Sequence, residues 1–114
     1  MYSNGQGVKQ DYKKAIEYYE KSASQGNTTA QYNLGVMYSN GQGVKQDYKK
    51  AILWYEKAAN QGDVAAQSNL GNMYANGEGV RQDKKRGKEW FGKACDNGFQ
   101  MACDNYKILN QQGY

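Results

Sequence analysis

Apolar residues recur along this chain at three- and four-residue steps, the mark of one buried helix face. Between residues 48 and 59 the stripe is Tyr48, Ala51, Ile52, Tyr55, Ala58 and Ala59, while Lys49, Lys50, Glu56 and Lys57 fall on the other side. Asp47 stands just before the stripe, where its carboxylate can accept from free amides as an N-cap. Gly62 follows the stripe and can adopt the left-handed conformation that ends a helix. Asp63 opens a second stripe of Ala66, Leu70, Met73 and Tyr74, which Asn76 and Gly77 close. Gly77-Glu78-Gly79-Val80 is the loop to the next unit. No segment sustains the period-two alternation of a strand, so the expectation is an all-α chain.

The pattern itself repeats. Residues 1–16, MYSNGQGVKQDYKKAI, recur unchanged at 37–52, and 73–83 reads MYANGEGVRQD. The step is 36 residues: Met1, Met37 and Met73 align, as do Gly26, Gly62 and Gly98 and the pairs Gly5/Gly7, Gly41/Gly43 and Gly77/Gly79. A fixed period of this length means stacked helix pairs, none of which buries its apolar face alone. On this frame the chain divides into a partial repeat at 1–26, full repeats at 27–62 and 63–98, and a capping helix within 99–114. Gly35 and Gly71 lie inside the shorter helices, where Gly costs about 1 kcal/mol against Ala. Their recurrence at one place predicts close approach of a neighbouring helix, beneath its Trp or Tyr.

Composition says what the core is made of. Leu, Ile, Val and Phe together number only fourteen of 114 residues, a share usually read as disorder. The net charge is a modest +4, however, and eleven Ala with eleven Tyr supply small and large pieces that fit together. The core is therefore expected from Ala, Tyr, Trp and Met, with aliphatics as a minority. No His is present, which removes imidazole bases and His metal ligands, and two Cys do not make a four-ligand zinc site. No metal or cofactor is expected. No apolar run approaches 18 residues, and the first 20 lack the apolar stretch of a signal peptide, so neither a membrane span nor an export signal is expected.

The residues from Ala30 to Gly62 carry the pattern A-Q-x-N-L-G-x-M-Y-x-N-G-x-G-V-x-Q-D-x-K-K-A-x-x-W-Y-x-K-A-A-x-x-G. This resembles the Sel-like repeat, a relative of the tetratricopeptide repeat, and the resemblance covers almost the whole chain. It implies a right-handed α-solenoid of antiparallel helix pairs whose shorter helices line a concave face. It also implies adaptor work, the holding of other proteins or peptides.

At the N-terminal end, Met1 aligns with the last turn of a short helix, so the helix that should cover Ala15, Ile16 and Tyr19 is missing or a stub. Either the chain is a piece of a longer protein, which is favoured, or two copies cover each other there as a homodimer. The last repeat turns polar where it has no successor: Tyr48, Ala51 and Ile52 become Lys84, Gly87 and Lys88. The final helix, near Gln100 to Gln112, has Tyr106 and Lys107 in place of Leu-Gly and reads as a cap.

Four groups of residues are candidates for chemistry. Cys95 takes the place of Ala23 and Ala59, and Cys103 that of Gln31 and Gln67, on either side of a turn at Gly98. The C-x7-C spacing resembles disulfide-bearing, secreted bacterial members of the family. That resemblance implies a bridge clipping one helix pair and favours a periplasmic or secreted location; the alternative is two reduced thiols filling space. The Gly-x-Gly-Val loops follow no strand and lack a Gly-Lys-Ser/Thr, so they read as helix terminators rather than phosphate cradles. Arg81, Lys84, Lys85, Arg86 and Lys88 form a basic stretch without an aromatic series, which reads as a solvated cap face rather than a nucleic-acid patch. Some bacterial relatives are linked to penicillin binding or weak β-lactam hydrolysis, the second functional reading. None of Ser3, Ser22, Ser24, Ser39 and Ser68 has Lys three places on, so the serine route is argued against.

The fourth group is a row of carboxamides. Asn33, Asn69 and Asn105 share one position in successive units, and Asn40 and Asn76 share another. Each carboxamide both donates and accepts, which suits the backbone of an extended peptide. Tyr32, Val36, Ser68 and Asn72 flank the row and can shape side-chain pockets. The equal alternative is that Asn33, Asn69 and Asn105 satisfy backbone groups of the adjacent repeat. The reading is an interaction adaptor, not an enzyme, that binds a protein or peptide segment in a concave groove.

Overall fold

The computed structural model describes the backbone of residues 5–114 and the side chains from Tyr12 onward. Its elements are α1 (Gly5–Ser24), α2 (Thr28–Asn40), α3 (Tyr48–Asn60), α4 (Val64–Asn76), α5 (Lys84–Asp96) and α6 (Gln100–Gln111), with no strand among the described residues. Sequential helices pack on one another, α1 on α2 through to α5 on α6. The stack measures 48 × 24 × 24 Å, and its radius of gyration of 15.3 Å exceeds the roughly 13 Å of a rounded domain this long. It is the all-α repeat stack that the 36-residue period predicts.

The caps fall where the polar punctuation placed them. Asp47 accepts from the Lys50 amide at 3.1 Å and Asp63 from the Ala66 amide at 2.9 Å, while Asn27 and Asp83 do the same for α2 and α5. Gly62 is left-handed at φ 97°, just beyond the end of α3. The longer loops are held by the helix they leave. Gln42 N and Asp47 N donate to the carbonyls of Met37 and Tyr38, and the Gln46 side chain donates to that of Ser39. Residues 5–11 have the same sequence as this loop, and the repeat predicts a loop there too, yet they belong to α1. The carbonyls that pin residues 41–47 belong to α2.

Buried Ala and aromatic residues make most of the core: Ala51, Ala58, Ala66 and Ala94 are fully buried, beside Tyr38, Tyr55, Tyr74 and Phe91. Leu34 and Leu70 are the large side chains at its centre. The glycines inside α2 and α4 sit under rings. A Cβ on Gly35 would stand 2.5 Å from the Tyr55 ring, and one on Gly71 2.6 Å from that of Phe91. The neighbour at Gly71 is thus Phe rather than the Trp or Tyr expected.

Both ends correct the sequence reading in part. Ile16 is not left open: α2 covers it to 6 % exposure, and Ala15 and Tyr19 pack against the same core. Gly87 is no part of a polar outer face. It is buried, and a Cβ there would meet the Gly71 carbonyl at 2.8 Å, so its role is to let α5 lie close on α4. At the C-terminal end Tyr106 and Lys107 are exposed.

Candidate binding groove

The aligned side chains of successive repeats line three hollows in a row. The first, about 240 Å³, is walled by Tyr12, Ala15, Tyr19, Asn33, Val36, Met37 and Gln42. The second, about 310 Å³, takes the same positions one period on, Tyr55, Asn69, Asn72, Met73 and Glu78, together with Tyr32, Val36, Ser39 and Asn40. The third, about 160 Å³, moves on by a further 36 residues to Phe91, Asn105, Ile108 and Leu109, with Asn72, Ala75 and Asn76 on its near side. Val36 borders the first two hollows and Asn72 the last two, so the row is continuous.

Eight of the nine residues singled out from the sequence border this row. Asn33 lies in the first hollow; Tyr32, Val36, Asn40, Asn69 and Asn72 meet in the second; Asn76 and Asn105 lie in the third. Ser68 does not: it is 4 % exposed and borders none of the three. It occupies the position of Tyr32, whose ring reaches the hollow and packs against Tyr55 at 5.7 Å, whereas a hydroxymethyl group is too short to emerge. Tyr55, Ser39, Met73 and Glu78 were missed. The first and third belong to the apolar stripes and read as core, yet each turns one edge into the hollow. Glu78 sat in a loop that read only as a helix terminator.

Among the described residues, the carboxamides of the Asn row make no hydrogen bond to the neighbouring backbone. Among the described residues, that work falls to two glutamines. Gln31 donates to the Ala23 carbonyl at 3.1 Å and accepts from Gln61 at 2.7 Å; Gln67 donates to the Ala59 carbonyl at 3.1 Å and accepts from Asn97 at 3.1 Å. Both are 4 % exposed. In the third repeat the same two positions are Cys95 and Cys103, and they are joined by a disulfide with the Cα atoms 4.6 Å apart.

The groove is weakly charged. Burial holds the Tyr55 hydroxyl well above the usual phenol range, and Tyr32 beside it adds to this, while Asn69 and Ser39 draw it slightly back. Among the described residues, Glu78 is the one charged side chain that borders the three hollows. Several cations outside the groove lie over rings: Lys50 on Tyr38, Arg86 on Tyr74, Lys57 on Trp54 and Lys93 on Trp90. The basic stretch is likewise divided. Lys84 stacks on Tyr114, and Lys88 donates to Asn110 and to the Tyr114 carbonyl, while Arg86 turns to α4. Two larger hollows lie outside the row, about 410 Å³ between Tyr12 and the loop at Gly41–Lys45, and about 400 Å³ around Trp90. The second is lined by α5 and its cap residue alone, with Lys85, Arg86 and Lys93 offset by Asp83 and Glu89.

The sequence profile of the Sel1 repeat matches residues 1–27, 28–63 and 64–99. No curated protein sequence gives a significant match. Among solved structures, a Sel1 repeat protein from Oxalobacter formigenes superposes with a TM-score of 0.82 at 37 % identity, over 96 % of this chain and 45 % of that one. A protective antigen of uropathogenic Escherichia coli strains, displaying an SLR fold, gives 0.73 at 37 % identity, over 87 % of this chain and 26 % of that one. The cysteine-rich protein B of Helicobacter pylori gives 0.74 at 32 % identity, over 78 % and 67 %. The chain thus spans less than half of the first structure and about a quarter of the second. A period of 36, six helices without a strand among the described residues, and the match of all three repeats place the chain in the Sel1 repeat family, whose members are generally protein-interaction scaffolds.

Proposed function

We propose that the row of hollows is one groove that holds an extended segment of another protein. The observation that carries this is the placing of Asn33, Asn69 and Asn105. Each borders its own hollow, one repeat after another, and none is bonded to the backbone of the adjacent repeat among the described residues. A carboxamide can donate to a peptide carbonyl and accept from a peptide amide at once, and an extended strand presents both at each residue. The tyrosine and aliphatic walls take up side chains between these contacts. The carboxamides, tyrosines and single carboxylate that line the groove are groups suited to binding a peptide. The disulfide favours an oxidising compartment, periplasmic or extracellular.

The test is a selection of random 12-residue peptides on the wild type, followed by titration of the selected peptides against an Asn33→Ala/Asn69→Ala/Asn105→Ala variant. Loss of about 10-fold or more in affinity, with helix content unchanged by circular dichroism, is expected, since each buried amide contact contributes about 0.5–1.5 kcal/mol. Equal binding by both forms would remove the groove from the function.

A further inference from the structure

We infer that the groove reads a sequence pattern, a Lys or Arg side chain with apolar residues on both sides, and that Glu78 selects the basic one. The inference rests on the peptide-binding reading above. Its ground is the way the hollows differ at equivalent positions. Gln42 in the first hollow becomes Glu78 in the second, a carboxamide replaced by a carboxylate of the same length. Val36 in the first becomes Asn72 in the second and Ile108 in the third. The central hollow is therefore polar and anionic, with Asn69, Asn72 and Glu78 beside the rings of Tyr32 and Tyr55. The outer two are neutral, with Tyr19, Val36 and Met37 in one and Phe91, Ile108 and Leu109 in the other.

A half-buried carboxylate beside tyrosine rings is the environment that an ammonium or guanidinium group fills best: the acid pairs with the charge and the ring faces cover the stem. Among the described residues no hydrogen bond engages the Glu78 carboxylate. The rest of the molecule sharpens the assignment. A chain of net charge +4 repels cationic peptides at long range, so a preference for one must arise locally. The spacing follows from the stack. Its 48 Å axis holds three helix pairs, so one repeat advances by no more than about 16 Å, up to five residues of extended peptide at about 3.3 Å each.

The experiment uses the same 12-residue library on the whole chain as wild type, Glu78→Gln, Gln42→Glu and Asn69→Ala. Selected peptides are then made with acetylated N-termini, so that only side chains carry positive charge. The wild type is expected to enrich Lys or Arg at one aligned position, with apolar residues within five positions on each side. Glu78→Gln copies Gln42, which stands at that position one repeat earlier, so the fold has a precedent for it. It should bind the basic peptide about tenfold more weakly and lose the enrichment. Gln42→Glu should create a second basic preference toward the neighbouring position. Peptides without a basic preference on the wild type, or a preference that persists in Glu78→Gln, would overturn the inference and leave the groove standing if Asn69→Ala still weakens binding. No selected peptide, or binding indifferent to Asn69→Ala, would overturn the groove and the pattern together.

Discussion

Gln67 donates its side-chain amide to the carbonyl of Ala59 at 3.1 Å, and one repeat later the same two positions hold Cys103 and Cys95 as a disulfide. Gln31 and Ala23 form the same bond one repeat earlier. Two chemistries therefore close one junction, the turn between the long and the short helix of each pair. Gln67 also accepts from Asn97, so it ties three helices rather than two. Replacing Gln67 by Ala removes both bonds and leaves the Ala59 carbonyl with the Gly62 amide as its remaining partner. The expected loss is about 1–3 kcal/mol, read as a shift in the urea midpoint at constant slope.

The covalent version should be worth more. The bridge closes a loop of nine residues, for which chain entropy gives about 2–3 kcal/mol. A Cys95→Ala/Cys103→Ala variant should unfold at correspondingly lower denaturant, and a thiol titration of the unfolded wild type should find no free thiol until reductant is added. Two free thiols in protein taken from an oxidising compartment would contradict the bridge.

Gly71 makes the opposite prediction to helix propensity. Ala is about 1 kcal/mol better than Gly in an open helix, yet here its Cβ would stand 2.6 Å from the Phe91 ring. The ring is 2 % exposed and packs with Ala94, Ala102 and Leu109, so moving aside costs it those contacts. Gly71→Ala should therefore destabilise by about 1–3 kcal/mol, the usual cost of overpacking, and Gly71→Ala/Phe91→Leu should recover part of it. A more stable single variant would show that the ring yields.

These cases mark what the sequence makes legible. Caps, turns and the glycine contacts are dictated locally and recur, so Asp47, Gly62 and Gly35 could be read before any coordinates. The Asn row could be read as well, because identical spacing puts identical residues on one face. Other features depend on side-chain length and on which helix edge turns outward, and periodicity carries neither. Tyr32 reaches the groove where Ser68 does not, Tyr55 serves core and groove at once, and Gln31 and Gln67 are buried although polar. Glu78 carried a signal that was overlooked: a loop otherwise nearly identical to 41–47 changes its charge at that one position.

The buried phenols set the alkaline limit of the fold. Burial is the largest cause raising Tyr38, Tyr55 and Tyr74 above the ordinary phenol value of 10.0; Glu20 adds to it at Tyr38 and Glu56 at Tyr74. Glu56 also accepts from the Tyr74 hydroxyl at 3.4 Å. Each folded value lies above the unfolded one, so the unfolded chain ionises first. The stability these groups contribute is complete below about pH 9 and falls as pH rises through 10 and beyond. Urea midpoints between pH 8 and 11 should be level at first and then decline. Tyr55→Phe, which removes the most strongly shifted of the three, should flatten that decline. An equal decline in wild type and Tyr55→Phe would assign the alkaline transition to other groups.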